Sequence, residues 1–371
     1  MKILQIITHL EIGGAQKATL LLSQELINRG HDVVVLSSAR GGLVEEFKRI
    51  LGFNFRILPY LRRGINPIFD LLAFFSIFIY IKELDFDLVH THSSKAGILG
   101  RWAAFLSSVK SVHTVHGFAF HDYQNAILKY LYVLIERVTA LISTKIIFVS
   151  EGVKERALSN SIVAIKSHSK FDVIYELIKL NPIKHDVRRE DFFTIGMVAP
   201  LKKQKRPEDF LSFAKALIRK RKDVKFILVG DGELRPKLEI MAMRLKIIDK
   251  IEFKGWREDA YSIMSSFDIC VLTSIFEGQP HVIIEAMSLS IPIIATSVEG
   301  VKELVSEGGS GFLVEPFNPD DIALLANKLL NDKVLRESLG AKGRNYFETN
   351  EKFNYIKNIN KIENIYKGII R

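Results

Sequence analysis

The stretch SIFEGQPHVIIEAM, residues 274–287, carries two glutamates, Glu277 and Glu285, with seven residues between them. The apolar run Ile269–Leu272 just before it is short and rich in β-prone residues, which is typical of a buried strand that ends in a loop. Pro280 suits the first position of a helix, because a residue there needs no backbone N–H, and the apolar residues after it supply an inward face. The pattern therefore predicts a strand, a loop that holds Glu277 and a helix that holds Glu285 one turn in.

The predicted loop combines groups that bind phosphate with groups that bind sugar hydroxyls. Backbone amides at a helix N-terminus attract anions, phosphate above all, and ligands of open α/β sheets collect at the carboxyl ends of the strands. The amides of Gly278 and Gln279 lie at this point of the loop. Carboxylates there repel phosphate but accept hydrogen bonds from sugar hydroxyls, so amides and acids together indicate a nucleotide-sugar. A loop acid and an exposed helix glutamate that share this spacing by chance are the alternative.

The string EGxP followed by EAM, after a buried strand, also resembles the E-x7-E signature of the family 4 retaining glycosyltransferases, which have the GT-B fold. The resemblance implies that Glu277 contacts the transferred sugar and Glu285 the ribose, with Gly278, Gln279 and Pro280 beside the donor. It also implies an α/β fold class, with two Rossmann-like, doubly wound parallel-sheet domains that face each other across a cleft.

The N-terminal part of the chain supplies a second glycine loop. Residues 1 to about 110 alternate strand and helix patterns, which indicates a parallel, doubly wound sheet. Gly13 and Gly14 lie between the first strand and the first helix, where glycine lets backbone approach a ligand closely. The spacing is not the G-x-G-x-x-G dinucleotide fingerprint. GGAQK instead resembles the GGA[EQ] loop of the same family, which implies a contact with the donor's phosphate region; a plain turn is the alternative.

Histidines are frequent between residues 90 and 121. Gly117 follows His116 at the predicted end of a strand, which puts His116 at the strand's carboxyl end. The string HTVHGF resembles the HG motif of the family, which implies that His116 lies against the donor sugar. No cysteine or carboxylate framework at ligand spacing accompanies these histidines, so neither a metal ion nor another cofactor is predicted.

The string THSSKAGILGR, together with VHGF, most resembles the subset of the family that builds bacterial capsule, exopolysaccharide or O-antigen repeats. Lys95 and Arg101 are cations on a helix that is expected near the cleft. We take both as candidate contacts to an acceptor diphosphate. A lysine on a solvated helix face is the alternative for Lys95.

The connection between the predicted domains departs from the family pattern. The family usually continues after the last strand of the first domain with Asn-Gly-Ile-Asp, whereas this chain has Glu176-Leu177-Ile178. Without the glycine, the backbone cannot adopt a positive φ at this point without strain. The sequence therefore does not predict the hinge geometry or whether the enzyme is active. The polar segment Asn181–Asp191 is predicted to be the interdomain linker. We therefore predict an acceptor-binding domain over 1–180, a nucleotide-sugar domain over 181–350 and a helix over 351–371 that crosses back to the first domain.

A basic loop opens the second domain. Lys202 and Lys205 follow the predicted strand Phe192–Pro200, a suitable place for point charges on a diphosphate. The resemblance matches Lys205 to a lysine of the family, and Lys202 is the candidate replacement for an arginine that this chain lacks. Arginine can donate two parallel hydrogen bonds to a phosphate, whereas lysine binds it as a point charge. The replacement therefore changes how the donor diphosphate is bound. A solvated basic loop is the alternative.

Trp256 follows the predicted strand Ile251–Phe253. By resemblance the backbone here touches the nucleotide base, which makes Trp256 a possible stacking partner. An indole that only packs against its neighbours is the alternative.

Composition limits the class of protein and its partners. The chain has 371 residues, a net charge of +10 and one cysteine, Cys270, which lies in an apolar strand and excludes disulfides and thiolate metal sites. A reducing compartment fits, and the N-terminus has the pattern of a first strand and not of a signal peptide. The cations are not interleaved with aromatic residues as in nucleic-acid-binding proteins, so an anionic surface is the expected partner.

The Phe-rich run Leu71–Ile81, preceded by Arg62 and Arg63, strengthens that expectation. It is too short to span a bilayer but suits the membrane interface. A helix buried against the first sheet is the alternative.

The resemblance covers nearly the full chain in motif order, and it implies a metal-independent, retaining glycosyltransferase of the hexosyltransferase type. Its donor is expected to be a UDP-sugar, with UDP-HexNAc as the candidate, and its acceptor a lipid-linked saccharide at the cytoplasmic face of the cell membrane. No protein partner is predicted. An epimerase or phosphorylase of the same two-domain shape, or a non-catalytic sugar-nucleotide-binding protein, stays open as an alternative.

Overall fold

Strands and helices alternate along the chain in the computed structural model, which describes residues 1–164, 169–180, 183 and 192–370. One unit comprises Met1–Lys179 and Glu351–Arg371, and the other comprises Leu180–Asn350. Apart from residue 183, the predicted linker lies outside the described residues.

Among the described residues, the first unit has a seven-stranded sheet of parallel pairs in the order β3-β2-β1-β4-β5-β6-β7. The strands are β1 (Lys2–Ile7), β2 (Asp32–Ser37), β3 (Phe55–Ile57), β4 (Leu88–His92), β5 (Lys110–Val115), β6 (Lys145–Phe148) and β7 (Phe171–Val173). The order reverses between β1 and β4. This arrangement confirms the doubly wound parallel sheet that the alternation predicts, and a reversal of this kind opens a crevice at the carboxyl ends of the two strands.

Helices cover both faces of this sheet. They are α1 (Gly14–Asn28), α2 (Val44–Leu51), α3 (Pro67–Leu84), α4 (Ser94–Leu106), α5 (Ala126–Ile142) and α6 (Glu151–Ser159). Side chains of β1 alternate between the two faces: Ile3 and Ile7 pack in a cluster with α1 and α2, whereas Leu4 and Ile6 pack with α3 and α4. The period of two along the strand therefore sets which helix layer each residue contacts.

Among the described residues, the second unit has a six-stranded sheet of parallel pairs in the order β10-β9-β8-β11-β12-β13. Its strands are β8 (Phe193–Val198), β9 (Val224–Val229), β10 (Ile251–Gly255), β11 (Ile269–Leu272), β12 (Ile293–Thr296) and β13 (Gly311–Val314). The order reverses between β8 and β11. The basic loop follows β8 and the glutamate loop follows β11, so both predicted donor loops leave the sheet at the reversal point.

Seven helices of the second unit fall within the described residues: α7 (Pro207–Lys220), α8 (Arg235–Arg244), α9 (Ala260–Met264), α10 (His281–Ser288), α11 (Glu299–Gly308), α12 (Pro319–Asn331) and α13 (Lys333–Thr349). The sequence pattern predicted Pro280 as the first residue of α10. In the structure Pro280 is instead the N-cap of that helix. Its ψ of 116° is extended, so the helix begins one residue later.

The last helix, α14 (Tyr355–Ile370), belongs to the first unit. Ile359, Ile362 and Tyr366 pack in the cluster that also contains side chains of β1, β2 and α1. The Tyr366 hydroxyl lies 2.5 Å from Nδ1 of His90 on β4.

The Phe-rich run forms the middle of α3 and divides between two environments. Ala73, Ile77 and Ile81 are buried against the sheet, whereas Phe75 and Ile79 are half exposed. No helix among the described residues is long and apolar enough to cross a bilayer.

Candidate active site

The loops after β8 and β11 are joined by hydrogen bonds in the second unit. The Thr273 hydroxyl donates to the carbonyl oxygens of Lys205 at 2.7 Å and Arg206 at 3.0 Å. The Gln204 side-chain amide donates to the carbonyl oxygen of Phe276 at 2.8 Å. These hydrogen bonds hold the basic loop and the glutamate loop next to each other.

Lys205 and Glu277 form an ion pair at this junction. The Ser274 hydroxyl donates to the same carboxylate oxygen, Oε1 of Glu277, at 2.5 Å. Only 13% of the Lys205 side chain and 8% of the Glu277 side chain are exposed, so the attraction is screened less than on an open surface. The structure thus brings into direct contact two residues that the sequence assigns separately to a diphosphate and to a sugar.

The glutamate loop leads into the N-terminus of α10. Gly278, Gln279 and Pro280 are buried there, and Glu285 is half-buried inside the helix. Burial, and to a smaller extent the charge of Glu285, raises the pKa of the Cys270 thiol on β11 to about 12. Cys270 is therefore a neutral packed thiol.

Gly300 supports this loop and was missed in the sequence analysis. It lies in the first turn of α11, and a Cβ built on it would be 1.6 Å from the carbonyl oxygen of Gly278. Only glycine therefore allows α11 to approach the loop this closely. The available signal was the glycine in TSVEGVKELV, next to a predicted helix start.

The other predicted donor contacts of this unit lie at the carboxyl ends of strands. Lys202 is half-buried in the loop after β8, and Trp256 follows β10 with 45% of its surface exposed. Arg206 is an arginine in the same basic loop, but its guanidinium makes two hydrogen bonds to Asp209, at 2.6 and 3.0 Å. Bonds to Asp209 also raise its pKa. Arg206 is therefore already committed to a carboxylate.

In the first unit, Gly13 and Gly14 lie after β1 at the other reversal point. Gly13 has extended backbone, with φ of −165°, and α1 begins at Gly14. A Cβ on Gly13 would lie 2.8 Å from Oε1 of Gln16, whose amide nitrogen donates to the carbonyl oxygen of His9 at 3.1 Å. The first turn of α1 contains no acidic residue, so its amide dipoles present positive potential.

His116 directly follows β5, at the carboxyl end of the strand. Its Nδ1 lies 2.6 Å from Oε1 of Glu176, and its Nε2 lies 3.0 Å from Nδ1 of His92. Both ring nitrogens thus have partners inside the unit. A sugar hydroxyl that bonded the ring would have to displace one of them.

The two cations predicted to meet an acceptor are already paired. Arg101 is 1% exposed and donates to Glu136 at 2.8 Å and to the Gly97 carbonyl oxygen at 2.8 Å. Arg101 is therefore held in an internal ion pair, and the predicted acceptor contact would require its guanidinium to leave Glu136. Lys95 donates to Asp70 at 2.6 Å with 15% of its side chain exposed, so it would have to leave Asp70 to meet a diphosphate.

Comparison with known proteins decides the family. Residues 12–178 match the model described as Glycosyltransferase Family 4, and residues 181–346 match the model described as Glycosyl transferases group 1. An Escherichia coli protein named UDP-Gal:alpha-D-GlcNAc-diphosphoundecaprenol alpha-1,3-galactosyltransferase is 32% identical over 97% of this chain and 95% of its own. The chain belongs to glycosyltransferase family 4.

Other known proteins are similar to this glycosyltransferase in sequence or in fold. The Staphylococcus aureus capsular polysaccharide biosynthesis glycosyltransferase CapM is 28% identical over 79% of this chain and 80% of its own. The crystal structure of Anabaena HepE with UDP and glucose has a TM-score of 0.81 and 19% identity, and it covers 99% of this chain and 100% of its own. The glycosyltransferase therefore has the GT-B fold that the resemblance implied.

Proposed function

We propose that this glycosyltransferase moves a sugar from a UDP-sugar to a lipid-linked saccharide during synthesis of a bacterial surface polysaccharide. The relation to the Escherichia coli galactosyltransferase carries the proposal, because the name of that protein gives a UDP-sugar donor and a diphosphoundecaprenol acceptor and the similarity spans nearly both chains. The HepE complexes with UDP and UDP-glucose support the donor class.

In this proposal Lys205 has two partners in turn. Without donor it neutralises Glu277, which otherwise would repel an approaching diphosphate. When the diphosphate binds, its two negative groups attract the ammonium, and the Glu277 carboxylate becomes available to the sugar hydroxyls. Lys202 supplies a second point charge.

Backbone and polar groups complete the proposed donor site. The amides of Gly13, Gly14 and Gly278 face the phosphates, as amides at helix N-termini do. Gln279 and Pro280 border the sugar, Glu285 accepts from the ribose, and Trp256 stacks on the base.

The proposed chemistry retains the configuration of the sugar and uses no metal ion. The bond between the anomeric carbon and the phosphate oxygen breaks, the acceptor oxygen bonds to the anomeric carbon on the same face, and the acceptor proton moves to the departing phosphate oxygen. The lysines and amides stabilise the charge that develops on the leaving diphosphate. Glu277 and His116 hold the sugar ring while positive charge builds on it.

A nucleotide-sugar panel followed by a transfer assay tests the proposal. We expect a UDP-sugar to raise the unfolding temperature, because a ligand that binds only the folded state stabilises it. The same donor should then react with a polyprenyl-diphosphate-linked saccharide, in the presence of EDTA, to give a product with the anomeric configuration of the donor. A product of opposite configuration contradicts retention. Turnover of the donor without acceptor indicates the epimerase or phosphorylase alternative.

We further propose that the enzyme works at the cytoplasmic face of an anionic membrane. The lipid of the proposed acceptor stays in the bilayer, and the net charge of +10 favours attraction to anionic headgroups. Flotation with anionic vesicles tests this, and an enzyme that stays unbound and uses only lipid-free acceptors would contradict it.

A further inference from the structure

Helix α5 exposes an apolar stripe to solvent. Its exposed side chains, in a helix that the structure describes throughout, include none with a charge. The exposed fraction reaches 79% for Ile127, 64% for Tyr130 and 75% for Leu141. Spacings of three and four residues place the large ones on one side of the helix: Ile127, Leu128, Tyr130, Leu131, Leu134, Val138 and Leu141.

The charged side chains of α5 do not interrupt this stripe. Lys129 is partly buried and donates to Asp122 at 2.7 Å. Glu136 is buried with Arg101, and Arg137 donates to a backbone carbonyl oxygen at 2.7 Å. Polar residues normally cover the outer face of a surface helix, so the composition of α5 is inverted there.

Helix α3, in the same layer of the unit, also exposes large apolar side chains, and its last turn exposes the charged Lys82 and Glu83. Its exposed large apolar residues are Ile68, Leu71, Leu72, Phe75 and Ile79. Helix α4 packs against both α3 and α5, and its last two residues, Phe105 and Leu106, are about half exposed. We name these residues of α3, α4 and α5 the apolar face. Exposed large apolar residues grouped on neighbouring helices are typical of an interaction site.

The groups near the apolar face favour an anionic bilayer as its occupant. Arg62 and Arg63 precede α3, and Lys82 lies in its last turn. Tyr60 and Tyr123, which are 39% and 52% exposed, add amphipathic rings of the kind that collect at headgroup level. Cations and tyrosines beside leucine, isoleucine and phenylalanine match the composition of interfacial helices.

We propose that the apolar face seats in the interface of an anionic membrane, with α5 and α3 lying against the acyl boundary. The inference deepens the proposed function, because it identifies the surface by which the enzyme approaches a lipid-linked acceptor. Burial of each stripe removes apolar area from water, and the flanking cations add attraction to the headgroups.

Charge substitution in the stripe tests this proposal. The double variant I127E/L131E replaces two exposed side chains, so we expect it to fold. A matched control, L324E/V334E, changes two side chains of the second unit that are 57% and 78% exposed. With vesicles of phosphatidylglycerol and phosphatidylcholine, we expect wild type and control to float and the I127E/L131E variant to float at least tenfold less.

Equal flotation of I127E/L131E and wild type, or no flotation of wild type, would contradict the proposal that the apolar face binds a membrane. A wild-type dimer in light scattering that becomes monomeric in I127E/L131E would also contradict it. That result would show that a second copy of the chain covers the apolar face. Transfer to a lipid-linked acceptor by an enzyme that does not float would reject the surface and keep the proposed function. Failure of every nucleotide-sugar to bind would reject the function, and flotation would still decide the surface.

Glu176 lies at the position where the sequence departs from the family pattern. Glu176, His116, His92 and Gln5 form a chain of hydrogen bonds, with distances of 2.6, 3.0 and 3.2 Å. Glu176 is 5% exposed. The segment is held in place because Asn358 of α14 donates to the neighbouring Tyr175 carbonyl oxygen at 3.3 Å.

The protons in this chain can be assigned. Burial keeps the pKa of His92 well below its usual range, so its ring is neutral. With an ionised Glu176, His116 donates from Nδ1 and accepts at Nε2 from Nδ1 of His92. Nε2 of His92 is then an acceptor and faces the side-chain amide of Gln5. A 180° flip of that amide places its NH₂ group toward Nε2 as the donor. The flip also gives a partner to the Gln5 side-chain nitrogen, which otherwise has none among the described residues.

We infer that Glu176 is a positioning residue that fixes the tautomer and ring plane of His116. An asparagine at this place, as in the family pattern, would bring a neutral amide, whereas a carboxylate only accepts from Nδ1. This inference rests on the proposed contact of His116 with the donor sugar. It also gives the departure from the family pattern a role.

Glu176→Gln tests the positioning role, because the amide can donate to Nδ1 and move the ring proton to Nε2. We expect kcat to fall about 10- to 100-fold with the donor KM within about twofold. The nitrogen spectrum of labelled His116 should show the other tautomer, whereas Glu176→Asp should recover the wild-type tautomer and part of kcat. Asp172→Asn, a half-exposed acid on β7, is the control.

The outcomes separate the two ideas. Normal kcat and an unchanged tautomer in Glu176→Gln, with an inactive His116→Ala, would reject the positioning role and keep His116 in the site. Normal activity of His116→Ala would reject both. Equal unfolding temperatures of Glu176→Gln and wild type would separate a positioning effect from a loss of stability.

Discussion

The ammonium group of Lys205 contacts the carboxylate of Glu277 across 72 residues of sequence. The contact exists because β8 and β11 are neighbours in the sheet although β9 and β10 lie between them in the chain. Each strand delivers one loop to the same edge, so the cation and the acid meet there. A charged ligand that binds at this point has to compete with an existing ion pair.

Glu277→Ala tests the role of the acid in catalysis. We expect turnover to fall by about two orders of magnitude, the effect of losing one preorganised contact to the reacting sugar. UDP binding, measured by calorimetry, should persist, because Lys205 loses a competitor for the diphosphate. Glu337→Ala, at a site 66% exposed on α13, is the control. Turnover within threefold of wild type would refute the role.

Gly300→Ala tests the support of the donor loop by α11. The new methyl group would meet the Gly278 carbonyl oxygen, so the loop or the helix must move. Displacement of a positioning loop by about 1 Å can cost about 100-fold, and we expect kcat/KM for the donor to fall by at least tenfold. Gly368→Ala on α14 meets nothing within 4 Å and should keep wild-type kinetics. Normal kinetics for Gly300→Ala would show that the contact is slack.

Arg101→Met tests whether Arg101 stabilises the fold through its buried ion pair or contacts the acceptor. Removing one partner of a buried ion pair leaves Glu136 uncompensated, which should lower the free energy of unfolding by about 3–5 kcal/mol. Urea denaturation measures the loss, and the double variant R101M/E136L should recover most of it. The acceptor KM of the folded fraction should not change. Normal stability with a raised acceptor KM would restore the ligand role.

The buried histidines predict a loss of stability in mild acid. Burial, and less strongly the charge of His116, lowers the pKa of His90 to about 3, and burial holds the pKa values of His92 and His113 well below 6.5. The unfolded chain therefore binds protons that the folded chain does not. Each histidine contributes stability that is fully present above about pH 6.5 and falls by about 1.4 kcal/mol per pH unit below it.

Urea denaturation between about pH 7 and pH 5 measures this effect where most carboxylates stay ionised. Replacement of His90 by glutamine, which does not titrate, should make the dependence shallower. A free energy of unfolding that stays constant over this range would contradict the prediction.

The sequence was sufficient for the two sheets and for the loops that carry the motifs. A strand pattern followed by a helix pattern favours a right-handed crossover within a parallel sheet, and the strand Ile269–Leu272 has the predicted bounds. Helix ends were less certain: α10 begins after Pro280, which the pattern predicted as its first residue. Local patterns specify these ends weakly because tertiary packing also selects them.

What the sequence alone determined is the set of chemical groups and their order: two glycine loops, a histidine at a strand end, a basic loop and two glutamates on the next motif. These follow from local spacing. The tertiary structure decided which charges are available, because burial and pairing depend on residues far apart in the chain. It paired Lys205 with Glu277, removed Arg101 into the core with Glu136, and connected His116 to Glu176.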